Sequence, residues 1–373
     1  MPIVSHTFDA ANIQVVDADS ASDIQLKINA DNNSEFFQWF YYRVSNVVGE
    51  SLKMTILNAS DAAYAGGWDG YEAVASYDQS YWFRVPTRYE NGQLIIEHTP
   101  EADSVYYAYF TPYTLDRHQQ FMGQLQCQDA CKLSVIGQSI QGRDLDLVQI
   151  GEDDGTKKRV WVSSRQHPGE SMAEWFTEGL LLRLLDSDDA ISEALLDKLV
   201  FYVVPNMNPD GSTLGHLRTN AAGVNLNRVW GKADTETSPE VYYFQKAIEA
   251  TGCDLFLDIH GDETLPWNFI AGQAGLPVAK EILQQEADFK AYYAQINPDF
   301  QTEHGYPEKK FGDESLSLAS NWAGNRFGIA SMTLEMPFKD NASRPDPVCG
   351  WSAERSMQLG ASIVYPIAKH FGI

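Results

Sequence analysis

The chain of 373 residues has a formal net charge of −24 and a pI near 4.6. Such a charge repels the phosphates of nucleic acids and anionic membrane surfaces, so we expect neither as a partner. Hydrophobic residues make up 44% of the sequence, which excludes a disordered chain and is enough for one large domain or two smaller ones.

The first residues, MPIVSHTFDAANIQ, have no basic region followed by a long apolar run, so they do not resemble a secretory signal. No stretch approaches the roughly 20 apolar residues of a membrane span. Four cysteines in a chain of this size do not suggest a disulfide framework. We interpret them as free thiols and expect the protein to be cytoplasmic.

Residues 1–114 are predicted to form an all-β sandwich domain. Aromatic and β-branched runs alternate with the turn-rich pieces AGGWDG and YENGQ, and the predicted strands include Ser34–Asn46, Ser51–Ser60 and the runs QLIIEHTP and SVYYAYFTPY. Short strands separated by Gly, Asn and Asp turns are typical of β-sandwiches and barrels. No metal-ligand spacing or nucleophile–base pair stands out in this part.

Residues 115–373 are predicted to form an α/β domain. The compact apolar runs RVWVSS, LVFYVVPN, DLFLDIHG and ASMTLEMP are typical of strands buried in a largely parallel sheet. Between them, SMAEWFTEGLLLRLL places its large apolar residues on one helical face. Strand and helix therefore alternate, as in an α/β fold.

Polar side chains follow the ends of several of these strands. RVWVSS leads into RQHPGES, with His167 and Glu170; DLFLDIH ends at His260; and SMTLEMPF carries Glu335. Ligands of open α/β sheets collect at the carboxyl ends of the strands, so we expect these side chains to meet at one edge.

Two imidazoles and one carboxylate are a standard ligand set for a catalytic zinc ion. His167 and Glu170 would supply two ligands from one turn and His260 the third. The alternative is structural: Glu170 caps the helix that begins near Ser171, His167 lies in a loop, and His260 is a hydrogen-bonded histidine at a strand end.

A second polar cluster is basic. HLRTNAAGVNLNRVW carries Arg218, Asn227 and Arg228 in an otherwise acidic chain. Arg228 and Asn227 could bind a carboxylate, and Arg218 could stabilise an oxyanion near the metal. Surface ion pairs are the alternative for the arginines. Glu335 could take a proton from water, or could instead be an exposed glutamate on an edge strand.

In combination and in order, these segments resemble the zinc carboxypeptidases of the carboxypeptidase A clan, and more closely the cytosolic carboxypeptidase branch, which trims C-terminal glutamates. The matching motifs are HPGE (His167–Glu170), PNMNPDG (Pro205–Gly211), LRTNAAGVNLNR (Leu217–Arg228), DIHGDE (Asp258–Glu263) and TLEMPF (Thr333–Phe338). The resemblance implies an α/β/α catalytic domain with a mixed sheet, preceded by a β-sandwich domain.

The resemblance also implies roles. His167, Glu170 and His260 would bind one Zn²⁺ per chain, and Glu335 would be the general base. Arg218 would polarise the scissile carbonyl, and Asn227 with Arg228 would bind the terminal carboxylate of the substrate.

Two features of the clan have no clear match. Secreted members have a tyrosine over the substrate roughly twenty-odd residues before the general base, but FGDESLSLASNW contains none. The residue that selects the terminal side chain is also unassigned, with Lys309, Lys310 and Arg326 as candidates for an acidic side chain or as ordinary surface charges.

We therefore expect a zinc metallocarboxypeptidase that hydrolyses the C-terminal peptide or isopeptide bond of peptides or proteins, with terminal glutamate as a candidate. An amidohydrolase or deacylase acting on a small N-acyl amino acid is one alternative, and a non-catalytic module that binds C-termini is another. The sequence does not predict an oligomeric state.

Overall fold

The structure is a computed structural model that describes residues 1–307, 312 and 314–373. Its first part folds into two five-stranded sheets, with strand orders β1-β4-β10-β6-β7 and β2-β3-β5-β9-β8. The strands are β1 (Ile3–Ser5), β2 (Gln14–Ser20), β3 (Asp23–Lys27), β4 (Tyr41–Ser45), β5 (Leu52–Ile56), β6 (Val74–Ser76), β7 (Phe83–Arg84), β8 (Thr87–Glu90), β9 (Gln93–His98) and β10 (Ser104–Ala108).

The two sheets form a β-sandwich with an aromatic core. The buried Tyr42 of β4 donates its hydroxyl to the sulfur of Met54 in β5 at 3.3 Å, so the two sheets meet face to face at this point. The prediction of an N-terminal β-sandwich is confirmed.

The predicted strand Ser34–Asn46 is too long, because only Tyr41–Ser45 is a strand. The residues before it turn, with the Asp31 amide donating to the Phe36 carbonyl at 2.9 Å. Trp39 and Phe40 are buried in the core from an irregular segment, so their apolar character reflects burial and not sheet pairing.

The second part contains a seven-stranded mixed sheet of order β11-β12-β14-β13-β15-β17-β16. Its strands are β11 (Cys131–Gln138), β12 (Asp144–Ile150), β13 (Lys158–Ser164), β14 (Leu199–Val204), β15 (Leu255–Asp262), β16 (Phe269–Ala271) and β17 (Ser331–Pro337). The helices are α1 (Leu115–Leu125), α2 (Met172–Leu184), α3 (Ala190–Lys198), α4 (Pro209–Leu214), α5 (Pro239–Thr251), α6 (Lys280–Ile296), α7 (Ala319–Phe327), α8 (Ala353–Ser362) and α9 (Val364–Phe371).

Helices cover both faces of this sheet. Alternate residues of the central strands enter two separate apolar clusters: Val160 and Val162 pack with residues of α2, α8 and α9, whereas Trp161 packs with residues of α5 and α7. This alternation follows from the period of two along a strand. The result is the predicted α/β/α arrangement.

Strands β14, β13, β15 and β17 are mutually parallel, so their carboxyl ends lie at one edge of the sheet. The β-sandwich packs onto this edge. Tyr109 stacks on Phe338 just after β17, with ring centroids 4.5 Å apart, and Gly67 approaches the backbone of Glu263 so closely that a Cβ would lie 2.4 Å from its carbonyl oxygen. No helix within the described ranges is long and apolar enough to cross a membrane.

Candidate metal centre and active site

His167, Glu170 and His260 lie together at the carboxyl edge of the sheet, and all three are buried. One ligand atom from each can be chosen so that all lie within 4.8 Å of one another. The Nδ1 atoms of the two histidines are 3.2 Å apart, and Glu170 contacts them at 2.6 and 2.7 Å through its two carboxylate oxygens. A tetrahedral zinc ion separates its ligand atoms by about 3.4 Å, so a set of this size can share one ion.

The turn between His167 and Glu170 is fixed by its neighbours. The Gly169 amide donates to the Leu217 carbonyl at 2.9 Å, and a Cβ on Gly169 would meet that same oxygen at 2.9 Å. Arg165, at φ 56°, lies just before the turn and donates to the Pro168 carbonyl at 2.9 Å and to the Glu174 carboxylate of α2 at 2.7 Å. A buried ion pair therefore joins the turn to the helix that follows it.

Nε2 of each histidine, the ring nitrogen that does not contact Glu170, also has a hydrogen-bond acceptor. His260 Nε2 donates to Asp258 at 2.8 Å, and His167 Nε2 donates to the Asn225 side-chain oxygen at 3.1 Å. Each contact leaves Nδ1 as the nitrogen that faces Glu170. Such partners orient the imidazoles of metal sites and select their tautomers.

The charges of this cluster shift its pKa values in different directions. Burial and the nearby Arg218 guanidinium lower the pKa of His167 to about 4. Burial opposes the ionisation of Glu170, but the two imidazoles hold the pKa of that carboxyl well below its usual value. His167 is thus a neutral imidazole and Glu170 a carboxylate at neutral pH. Burial disfavours the charged form of His260, but the Asp258 and Glu170 carboxylates outweigh it and raise the pKa of this histidine well above its usual value.

The Glu170 side chain does not cap helix α2, contrary to the structural alternative. Its carboxylate contacts the two histidines, and the side chain at the N-cap of α2, Ser171, makes no capping hydrogen bond.

Glu335 lies beside His260 because the two residues are Cα partners in the neighbouring strands β15 and β17. β17 is not an edge strand, since β16 pairs with its other side, so the alternative of an exposed edge glutamate is wrong. One carboxylate oxygen, Oε2, has no hydrogen-bond partner within the described part of the chain. Burial raises the pKa of Glu335 well above its usual value, and the Glu170 charge adds to this effect.

A tyrosine missed in the sequence contacts Glu335. The Tyr306 hydroxyl donates to Asp262 at 2.6 Å and lies 3.2 Å from Glu335 Oε1. Tyr306 lies 29 residues before Glu335, just outside FGDESLSLASNW, where a tyrosine was expected. A longer window before the glutamate would have found it, because FGDESLSLASNW begins only 24 residues before Glu335.

Arg218 is buried near the metal-ligand cluster with its guanidinium beside two aromatic rings. Its central carbon lies 5.3 Å from the Tyr64 ring and 5.7 Å from the Phe36 ring, and both rings belong to the β-sandwich. The guanidinium forms no ion pair or hydrogen bond with the described residues, so its donors are available to a ligand.

Asn227 and Arg228 lie in a short 3₁₀ turn, Leu226–Arg228, next to the same cluster. Asn227 accepts from the Ala319 amide at 2.8 Å through Oδ1, and its Nδ2 lies 3.3 Å from His260 Nε2. Arg228 keeps more than a third of its surface exposed, and its guanidinium donates to the Asn227 carbonyl at 2.6 Å. Partial burial and the charge of Arg218 lower the pKa of Arg228, so two like charges lie near each other.

Three basic residues were considered for the pocket that selects the terminal side chain of the substrate. Lys309 and Lys310 lie outside the described residues. Arg326 pairs with Glu249 at 2.9 Å on the surface, as the alternative interpretation expects. A carboxyl group to which no role was assigned lies near Glu170: burial and the Glu170 charge raise the pKa of Glu263 to about 8.

Two family models match most of the chain. Residues 4–110 match the cytosolic carboxypeptidase N-terminal domain, and residues 118–348 match zinc carboxypeptidase. Human cytosolic carboxypeptidase 6 is 28% identical over 98% of this chain and 77% of that protein.

Solved structures agree over the whole length. A metallo-carboxypeptidase from Burkholderia cenocepacia is 48% identical, with a TM-score of 0.98 and 100% of both chains covered. A metallo-carboxypeptidase from Pseudomonas aeruginosa, solved with (2-guanidinoethylmercapto)succinic acid, is 42% identical, with a TM-score of 0.96 and 99% of both chains covered. The chain therefore belongs to the zinc carboxypeptidase family, with the N-terminal domain of its cytosolic carboxypeptidase branch, and is a peptidase hydrolase.

Proposed function

We propose that this metallocarboxypeptidase removes the C-terminal residue of peptides or proteins, with one zinc ion per chain held by His167, Glu170 and His260. The carrying observation is that the three ligand atoms come from a turn and a strand 90 residues apart and still lie within reach of one ion. The nitrogen and oxygen donors, and the acceptors behind both imidazoles, suit zinc. When bound, zinc supplies Lewis acidity for the attack of water on the scissile carbonyl.

Glu335 is proposed as the general base that takes a proton from the attacking water and passes it to the leaving amine. Its support is the position beside His260 and the buried carboxylate oxygen Oε2, which has no partner among the described residues and is free to take a proton. The neighbouring Tyr306 hydroxyl is proposed to cover the substrate.

Arg218 is proposed to donate to the carbonyl oxygen as negative charge develops there, because its buried guanidinium has no other polar partner among the described residues. Arg228 and Asn227 are proposed to bind the terminal carboxylate. Asn227 would use Nδ2, since its Oδ1 already accepts from Ala319. A guanidinium that binds a carboxylate in a partly buried cleft makes strong, oriented hydrogen bonds.

For the terminal residue, glutamate is proposed first, in a peptide or isopeptide bond, because of the likeness to cytosolic carboxypeptidases. A basic terminal residue is the second candidate. It is favoured by the Asp262 carboxylate beside Tyr306 and by the guanidino compound bound to the Pseudomonas aeruginosa relative.

The domain division is proposed at residues 1–114 and 115–373, because the last sandwich strand ends at Ala108 and α1 begins at Leu115. A cytoplasmic location is proposed from the names of the cytosolic relatives and from the four cysteines, which are all free.

A peptide panel tests the function. Zinc-loaded protein is incubated with peptides that end in Glu, Lys or Phe, with an amidated copy of each, and with small N-acyl amino acids. Release of the last residue from free but not amidated peptides supports the proposal. Cleavage of the N-acyl amino acids alone would favour the deacylase, and tight binding of peptides without cleavage would favour the non-catalytic module.

A further inference from the structure

The loop that carries Arg218 is held by a carboxylate of the β-sandwich. Asp31 accepts three consecutive backbone amides, from Leu217 at 2.7 Å, Arg218 at 2.8 Å and Thr219 at 2.9 Å. It also accepts the Thr219 hydroxyl at 3.1 Å. Asp31 lies 187 residues before Arg218 in the sequence, so the contact crosses between the two parts of the protein.

Asp31 is itself fixed. Its side chain is buried, its amide donates to the Phe36 carbonyl at 2.9 Å, and its carbonyl accepts from the Ser34 amide at 3.2 Å. The ring of Phe36 is one of the two that lie against the Arg218 guanidinium. One turn of the β-sandwich thus holds the backbone of Arg218 and also supplies an aromatic surface for its side chain.

The same loop contacts the metal-ligand turn. The Leu217 amide donates to Asp31, and the Leu217 carbonyl accepts a hydrogen bond from the Gly169 amide at 2.9 Å. Gly169 lies between His167 and Glu170 in the sequence. Two hydrogen bonds therefore connect Asp31 to the turn that carries two of the metal-ligand candidates.

The Arg218 guanidinium has no polar partner among the described residues that would orient it. Its position therefore depends on where its backbone is held and on the rings of Phe36 and Tyr64. A shift of the loop by a fraction of an ångström moves the guanidinium away from a carbonyl oxygen, and oxyanion stabilisation is sensitive to such distances.

We propose that Asp31 is a positioning residue for the reaction, through which the β-sandwich places Arg218 in the active site. This inference rests on the proposed role of Arg218. The sandwich is then one wall of the active site and its Asp31 carboxylate is required for full catalytic rate. Asp31→Asn replaces two accepting carboxylate oxygens with one neutral amide oxygen and an NH2 group that cannot accept, so the hydrogen bonds to the loop are lost or weakened.

Asp31→Asn is the test variant, with kcat, KM, zinc content and thermal unfolding as readouts. We expect kcat to fall about 10- to 100-fold, less than the loss from removing an oxyanion donor outright, with zinc content unchanged. Asp9→Asn is the matched control, because Asp9 also lies in the sandwich and accepts one amide of the second domain, Leu115, at 2.7 Å. It is expected to leave kcat unchanged.

Arg218→Ala, alone and with Asp31→Asn, separates this inference from the proposed function. If Asp31 acts through Arg218, its substitution changes kcat by less than twofold in the Arg218→Ala background. An unchanged kcat in Asp31→Asn, with a large loss in Arg218→Ala, would overturn the inference and leave the proposed function intact. Near-normal kcat in Arg218→Ala would overturn the proposed role of Arg218 and this inference with it.

Phe36→Leu is a second test of whether this turn positions Arg218, for use if Asp31→Asn does not fold. Phe36 is partly exposed, so the loss of its ring is tolerated, and the hydrogen bonds of Asp31 remain. A reduced kcat with unchanged zinc content supports positioning of Arg218 by this turn of the sandwich. A kcat equal to that of the unaltered protein counts against it.

Discussion

Asp258→Asn is predicted to weaken zinc binding without unfolding the protein. The Asp258 carboxylate accepts from His260 Nε2 at 2.8 Å, from Ser163 Oγ at 2.6 Å and twice from Gln166 Nε2 at 2.8 Å. The substitution keeps the shape of the side chain but replaces a charged acceptor behind His260 with a neutral amide. Losing such a partner of a metal-bound histidine typically costs 10- to 100-fold in affinity, which is about 1.4–2.7 kcal/mol.

The zinc dissociation constant is measured by competition with a chelator of known affinity, together with the free energy of unfolding of the metal-free protein. Ser163→Ala is the matched control, because it removes one donor to the same carboxylate but keeps the contact between Asp258 and His260. We expect it to change zinc affinity by less than Asp258→Asn. Equal zinc affinity in Asp258→Asn and the unaltered protein would refute the proposed orientation of His260.

Three further predictions concern the base, the substrate carboxylate and a buried histidine. Glu335→Gln is expected to keep peptide binding while kcat falls at least 100-fold, because the amide cannot take a proton; turnover at a near-normal rate would exclude Glu335 as the base. Arg228→Ala is expected to raise KM about 10-fold or more for peptides with a free carboxyl end and to leave the binding of amidated peptides unchanged; an equal loss for both would indicate a scaffold role. Burial disfavours the charged form of His118, but the carboxylates of Glu174 and Asp146, at 2.5 and 3.0 Å, outweigh it and raise the pKa to about 9. This ion-paired histidine stabilises the fold fully below about pH 6.5, and its contribution, on the order of 3 kcal/mol, is lost as the pH rises through 9. The unfolding free energy of His118→Gln relative to the unaltered protein should therefore depend on pH between 6.5 and 9.5, and a constant difference would contradict the assignment.

The fold and the position of the site were predictable because they depend on local patterns. Apolar runs such as RVWVSS and DLFLDIHG indicate strands that are buried on both faces. Both runs are strands of the seven-stranded sheet. The polar residues that follow them meet at one edge because parallel strands end together. The sequence also suggested the residues His167, Glu170 and His260, which the fold brings together.

Other features depend on contacts that no local pattern records. The pairing of His260 with Glu335 needs the order of the strands, and Asp31 reaches Arg218 only after the two parts of the chain have docked. Tyr306 was missed because the sequence spacing between two active-site residues on different segments, unlike a strand period, is not fixed by a local pattern. The strand Ser34–Asn46 was overestimated because aromatic residues are equally suited to irregular segments in a core.

The central claim is that two histidines and a glutamate hold one divalent zinc ion at the carboxyl edge of the sheet. Crystals of the zinc-loaded protein, measured on both sides of the zinc absorption edge, test it most directly. The account predicts one strong anomalous peak per chain at about 2.0–2.2 Å from Nδ1 of His167, Nδ1 of His260 and the Glu170 carboxylate, and its loss in His167→Ala. A zinc-loaded crystal without a peak between these three side chains, or with its peak at other residues, would contradict the account.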